Sequence, residues 1–155
     1  MRSLLSGFLI VLTSIFLAGC SNSFEEQKVL FAEVMVIHDE VMPEMQTINE
    51  LSKALDSKLK EIQQDSVRID EDMLRKISEN KTALKEADDA MMSWMRDFAD
   101  KMAPPGKEKY QPYLDKKEMT HEAYMEFLAA EKVKIADVKE AMLSSIENAK
   151  QLLEK

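Results

Sequence analysis

Two groups of side chains in this 155-residue chain are suited to chemistry: a single cysteine, Cys20, and a set of methionines with two histidines. A lone cysteine rules out a disulfide within the chain and a metal cage built of thiolates. Before it, Arg2 is followed by an apolar run over residues 4–17 and then by two small residues. At about 1.5 Å per residue this run is too short for a hydrocarbon core of ~30 Å. We interpret it as a signal peptide, removed as residues 1–19.

The sequence Leu17-Ala18-Gly19-Cys20 resembles the lipobox of bacterial lipoproteins. That resemblance implies cleavage before Cys20, a diacylglyceryl thioether on its sulfur and an acyl chain such as palmitate on its new amino group. Because each buried CH2 contributes about 0.8 kcal/mol, more than one chain makes such an anchor effectively permanent. Ser21 stands where the sorting rule of bacteria with two membranes requires Asp for inner-membrane retention, so the resemblance implies the outer membrane, on either face. The alternative is an ordinary secreted protein in which Cys20 carries no lipid.

The acidic balance and the scarcity of glycine exclude several classes of function. After removal of the signal peptide, 20 Lys and Arg face 29 Asp and Glu, a net charge of −9 that disfavours nucleic acid and anionic bilayer surfaces as partners. Gly106 is the sole glycine after Cys20. Phosphate-binding loops, dinucleotide fingerprints and nucleophile elbows all need glycine and cannot be built. No nucleophile and base stand at a recognisable spacing, so we expect neither an enzyme nor a small-molecule substrate.

Apolar residues recur at helical spacing through the rest of the chain, which predicts an all-α fold. We expect an antiparallel three-helix bundle of long, coiled-coil-like helices after a short tether at residues 20–23. The predicted helices cover about 24–63, 70–102 and 120–154. The apolar stripe of the first repeats every seven residues and comprises Val34, Val41, Ile48, Leu55 and Ile62. The stripe resumes out of phase at Ile77, which indicates an interruption after Gln63; one unbroken helix that dimerises as a coiled coil is the alternative.

Prolines and polar residues set the predicted helix ends. Pro43 lies inside the first stripe and predicts a bend near Asp39, because it removes one backbone hydrogen bond. Asp70 and Thr120 are suited to cap the second and third helices. Between those helices, the segment 103–119 begins with two prolines and a glycine and predicts a loop.

Turns centred near residues 66–67 and 110 would collect soft side chains at one end of the bundle. His38 would then lie opposite Met95, and His121 near Asp100. Thioethers and imidazoles can hold Cu(I) or Ag(I), which suggests a metal site. The candidate ligands are His38, Met42, Met45, Met91, Met92 and Met95. The alternative is that these methionines are flexible core residues packed against aromatic rings.

Glu131, with His121, is a second candidate, a polar site on the third helix. Glu131 falls between Leu128 and Ile135, on the face where an apolar residue is expected. It is interpreted as paired with a cation or placed at the edge of the stripe; the alternative is a buried carboxylate that faces a ligand.

Two stretches, residues 38–45 (HDEVMPEM) and 88–95 (DDAMMSWM), together with the lipobox, resemble a group of small helical lipoproteins of Bacteroidota-type bacteria, often labelled viral A-type inclusion protein repeats. The resemblance covers most of the mature chain and implies helices and a membrane address, but no established activity. We expect a non-enzymatic outer-membrane lipoprotein that acts as a helical binding or structural module, with a protein partner in the cell envelope. The alternative is an envelope protein that binds or sequesters Cu(I) or Ag(I); no cofactor is otherwise expected beyond the lipid on Cys20.

Overall fold

The computed structural model describes residues 23–64, 70–102 and 120–154. Several predicted features lie outside these residues. They are the signal peptide, the acylated Cys20, residues 21–22 of its tether, the first interhelical turn and the loop at 103–119.

The described chain contains four α-helices: α1 (Ser23–Val41), α2 (Glu44–Gln64), α3 (Glu71–Met102) and α4 (His121–Leu153). They pack around one apolar core as a bundle, which confirms the predicted all-α class. α1 and α2 together occupy the range predicted for the first helix, and every outer boundary lies within one residue of its predicted position. Within the described ranges, no helix combines the length and the apolarity that a membrane span requires.

The interruption between α1 and α2 falls at Met42 and Pro43. The amide of Met42 still donates to the carbonyl oxygen of His38 (2.9 Å), whereas Pro43 has no N–H to donate. The chain then tightens, since the amide of Met45 donates only three residues back, to the oxygen of Met42 at 3.3 Å. The bend expected near Asp39 is therefore an interruption three residues later, because the helical pattern persists through the amide of Met42.

The apolar stripe keeps its phase across this interruption. Val34 and Val41 in α1, and Ile48 and Leu55 in α2, are seven residues apart and all buried. α1 and α2 therefore present one continuous apolar face, and we call them together the first column. The other buried core residues are Ile77, Leu84, Ala87, Met91, Trp94, Phe98, Tyr124, Leu128, Ile135, Met142, Ile146, Ala149 and Leu152.

Two polar side chains start the later helices, as predicted. Asp70 accepts the amide of Met73 through Oδ1 at 3.0 Å, and Thr120 accepts the amide of Ala123 through Oγ1 at 3.2 Å. These bonds satisfy amides that have no partner within the helix. The pKa of the Glu122 carboxyl, in the first turn of α4, is lowered by a hydrogen bond from its own backbone amide and then by one from the Thr120 hydroxyl.

Ion pairs show that the first column and α4 run parallel. Glu33 in α1 contacts Lys132 in α4 at 2.8 Å. Seven residues further along both helices, Glu40 contacts Lys139 at 2.6 Å. α3 runs antiparallel to both, as an up-down-up connection of three columns requires.

The position of α4 along the bundle axis, relative to α3, differs from the one predicted from the sequence. The expected pairing of Asp100 with His121 would place Phe98 level with Ala123, but the ring of Phe98 stacks on Phe127, four residues further along, with centroids 6.0 Å apart. The difference is about one helical turn, ~6 Å. The difference arises because ring packing and the apolar stripes determine the register of α4 against α3. The prediction instead assumed that the turn between the two helices is centred in the middle of the 103–119 segment.

Leu128 tests the packing of α4. We expect Leu128→Ala to lower the free energy of unfolding by about 2–5 kcal/mol, because it removes fully buried methyl groups and leaves a cavity. Leu143→Ala, on the same helix at a position that is 42% exposed, should change that free energy by less than about 0.5 kcal/mol. Urea unfolding followed by circular dichroism measures both, and equal losses would contradict the observed face of α4.

Candidate functional site

The end of the bundle where α1 and α4 begin and α3 ends, here called the basal end, contains a stack of aromatic rings. Phe98 is at its centre, with ring centroids 4.8 Å from Trp94, 6.1 Å from Phe31 and 6.0 Å from Phe127. Stacked pairs of this kind contribute about 0.5–1.5 kcal/mol each beyond the area they bury. Phe31 and Phe127 were not identified from the sequence. Their position beside the apolar stripes, with Phe127 next to Leu128, is the signal that points to them.

His38 lies at the edge of this stack. Its Nδ1 is 2.8 Å from Oδ1 of Asp39, and its ring centroid is 5.6 Å from that of Trp94. The His38 side chain is 15% exposed, so solvent reaches one edge of the ring. Trp94 Nε1 is buried and has no hydrogen-bond partner in the described part of the chain. With Nδ1 engaged by a carboxylate, Nε2 of His38 is the nitrogen left for another partner.

The five candidate methionines do not share one environment. Met91 is fully buried in the core, whereas Met42 and Met92 are 38% and 49% exposed. Met45 and Met95 are partly buried and pack against the core. Met91 and Met92 point in different directions because successive helical residues are turned by about 100°. The predicted set of six ligands therefore divides into a core residue, Met91, and five side chains outside or at the edge of the core.

Imidazole, thiolate and carboxylate ligands are not grouped in the described chain. Among residues 23–64, 70–102 and 120–154, no three or more His, Cys, Asp or Glu side chains are arranged to hold a metal ion.

Glu131 is a buried carboxylate held by two lysines. The residue is 2% exposed, and its Oε1 lies 2.7 Å from Nζ of Lys134 and 3.8 Å from Nζ of Lys101. Lys101 also lies over the ring of Phe127, with Nζ 5.9 Å from the centroid. This geometry matches the cation-paired interpretation, and the pair with Lys101 links α4 to α3.

His121 does not join Glu131 in one polar site. It lies in the first turn of α4, where Nδ1 is 2.9 Å from Nε2 of Gln27 and Nε2 is 3.8 Å from a carboxylate oxygen of Glu26. Ten residues, or about 15 Å of helix, separate His121 from Glu131. His38 is eleven residues beyond Gln27 on α1, about 17 Å away along the axis, so the two histidines also lie apart.

A polar groove lies between α3 and α4 at the opposite, distal end. Its volume is about 340 Å³, and it is lined by Lys76, Glu79, Asn80, Ala83, Asn148, Gln151 and Leu152. The Asn80 side chain donates from Nδ2 to the carbonyl oxygen of Lys76 at 2.9 Å, while its Oδ1 is buried without a partner within the described residues. No residue pattern points to this groove, because amides and charges are ordinary on the exposed face of a helix.

No protein family, curated protein or solved structure matches this chain.

Glu131 allows a test of whether its carboxylate stabilises the fold. We expect Glu131→Leu to leave the free energy of unfolding unchanged or to raise it by about 1–4 kcal/mol, because a leucine would be buried at no electrostatic cost. Lys101→Met/Lys134→Met should lower that free energy by about 1–3 kcal/mol, since it leaves the buried carboxylate unpaired. Urea unfolding of the two variants and the wild type measures these changes in the free energy of unfolding. A large loss in Glu131→Leu would show instead that the carboxylate holds α3 and α4 together.

Proposed function

We propose that this chain is a membrane-anchored envelope lipoprotein whose helical body is a non-enzymatic binding or structural module. The observation that carries the proposal is the sequence Leu17-Ala18-Gly19-Cys20 after an apolar signal peptide. The sole cysteine of the chain stands where the lipid would be attached, and a rigid helical body follows at once.

The start of α1 limits how far the body can stand from the membrane. α1 begins at Ser23, three residues after Cys20. Even a fully extended chain covers only about 11 Å over three residues. With Cys20 acylated, the start of α1 would lie close to the headgroups, and with it the whole basal end.

The columns of the bundle are long enough to act as a spacer. α3 has 32 residues and α4 has 33, which corresponds to about 50 Å of helix. The continuous core makes the three columns one body. In this arrangement the distal groove would be presented far from the membrane, and the aromatic stack would lie near it.

Charge and lipid have separate roles in the proposal. The mature body carries a net charge of −9 and would be repelled by an anionic leaflet. Attachment would depend on the acyl chains alone, which is the situation in which two or more chains are needed.

Replacement of Cys20 tests the anchor. Cells that express Cys20→Ser are expected to lose palmitate labelling of this chain and to release its body from the membrane fraction, because the sulfur that carries the lipid is gone. Ser21→Ala, which leaves Leu17–Cys20 unchanged, should remain labelled and bound to membranes. Continued labelling of Cys20→Ser would refute the anchor.

The same experiment separates the choice of membrane from the anchor. By resemblance to the lipoprotein sorting rule, Ser21→Asp should remain labelled but move from the outer to the inner membrane on a density gradient. An unchanged distribution would overturn the outer-membrane assignment while leaving the lipid in place.

Trp94 tests the orientation of the body, because it is the sole tryptophan of the chain. It lies eight residues, about 12 Å of helix, from the end of α3 at the basal end. Energy transfer from Trp94 to acceptor-labelled headgroups in vesicles is therefore expected to be efficient for the acylated protein. Trp94→Phe/Lys150→Trp, which moves the donor to an exposed distal position about 45 Å from Thr120, should show little transfer. Comparable transfer from both would mean that the body lies flat on the membrane.

A further inference from the structure

We propose that the seam between the first column and α3 binds one soft monovalent ion, Cu(I) or Ag(I), through His38, Met42, Met92 and Met95. This metal site is independent of the lipid anchor, because all four proposed ligands lie in the described bundle.

Each column presents two of the four side chains on one face. His38 lies on α1 and Met42 follows four residues later, in the turn directly after α1, where its amide still donates to the carbonyl oxygen of His38. Met92 and Met95 are three residues apart on α3. Residues at these spacings are neighbours on a helix surface, about 5–6 Å apart at Cβ. The four side chains therefore form two adjacent pairs, one from each column.

Contacts between the columns bring the two pairs to the same face and the same height. The His38 ring lies 5.6 Å from the ring of Trp94, the residue before Met95, which sets the height. Lys81 forms an ion pair with Asp56 across the same two columns. Asp56 is two heptads from Met42 and Lys81 is two heptads from Met95, so the positions of Met42 and Met95 belong to helix faces that meet.

Exposure to solvent distinguishes Met42 and Met92 from Met91, which fills the core. Met42 and Met92 are 38% and 49% exposed, although burial of a methionine contributes about 1.5–3 kcal/mol. Met95 is partly buried and packs against the core. An ion from solvent thus reaches two methionine side chains directly, whereas Met91, one residue before Met92, is fully buried and unavailable.

The hydrogen bond of His38 orients it as a ligand. Nδ1 lies 2.8 Å from Asp39 Oδ1, so the neutral ring that donates its Nδ1 proton to this carboxylate has its lone pair on Nε2. Metal-binding histidines commonly make this type of hydrogen bond, which fixes the tautomer and raises the basicity of the ligating nitrogen. Asp39 acts here as a positioning residue.

The donor set selects the ion. One imidazole nitrogen and up to three thioether sulfurs are uncharged, and thioethers favour Cu(I) over the harder divalent ions. The ion would bind in its monovalent state with no change of oxidation number. A carboxylate cage for Ca²⁺ or Mg²⁺ would need oxygen ligands, and no suitable group of acidic side chains is formed in the described ranges.

The test uses the body from Ser21 to Lys155, which retains every described core residue and lacks the thiol of Cys20. Ag(I) is titrated against a competing chelator, and Cu(I) is titrated under anaerobic reducing conditions. Stoichiometry is one readout, and the fluorescence of Trp94, whose ring contacts His38, is the other. The expected result is one ion per chain with a change in Trp94 fluorescence that saturates at the same ratio.

Three variants locate the site. Met42→Leu/Met92→Leu removes two exposed sulfurs and is expected to weaken binding by about 100-fold or more, while Asp39→Asn should weaken it about 10–100-fold. Met91→Leu is the matched control, since it replaces the neighbouring core methionine by a side chain of similar volume and should bind as the wild type does. Circular dichroism of each variant checks that the helices are intact.

Three results would overturn the proposal. They are the absence of competitive binding by the wild type, unchanged binding by Met42→Leu/Met92→Leu, and a loss in Met91→Leu as large as that in the double variant. The first would leave the exposed methionines without a metal, and the other two would place the ligands elsewhere in the chain.

Discussion

The burial of one apolar stripe per column, repeated every seven residues, is the constraint on which the rest of the structure depends. Val34, Val41, Ile48 and Leu55 keep this repeat through the interruption at Pro43, and all four are buried. If the phase had changed at Pro43, α2 would have turned its stripe away from α3 and α4. Because the phase is kept, a chain with a missing backbone hydrogen bond still forms a single column, and the bundle has three columns.

The relative height of the columns is fixed by interactions that are concentrated at the basal end. Phe98 contacts rings from the first column and from α4, and a one-turn shift of either helix would separate them. Glu131 acts in the same direction through Lys101 of α3, whose Nζ lies 3.8 Å from the buried carboxylate, whereas Lys134 pairs with it from within α4. Surface ion pairs such as Glu33 with Lys132 add little free energy, since both side chains are nearly half exposed, but their order agrees with the register that the rings set.

Local features of this chain were predictable from the sequence, and features that depend on distant packing were not. The helix ranges follow from the apolar period, and the starts of α3 and α4 follow from Asp70 and Thr120, which cap by bonds within their own first turn. The pairing of Glu131 with a cation was among the expected interpretations because a carboxylate on an apolar face needs a partner, and Lys134, three residues away on its own helix, is that partner. The predicted position of α4 along the bundle axis, and with it that of His121, was wrong by about one helical turn. This position depends on the contact between Phe98 and Phe127, which the spacing of residues in the sequence does not reveal. The groove beside Asn80 was missed because its lining residues come from two helices and none is unusual by itself.

Which side chains could bind an ion at the candidate metal site depends on how the helices pack. Sequence spacing alone grouped Met91 with Met92, yet one is in the core and the other is half exposed, so only the packed structure decides which sulfur an ion can reach. His38 and Met42 come from the first column, and Met92 and Met95 come from α3. A single ion can use both pairs only while the columns keep their register. Binding would thus favour the packed bundle by mass action, at the level where Pro43 interrupts the backbone hydrogen bonding of the first column. Binding and folding would therefore be coupled through the same apolar stripe that packs the first column against α3.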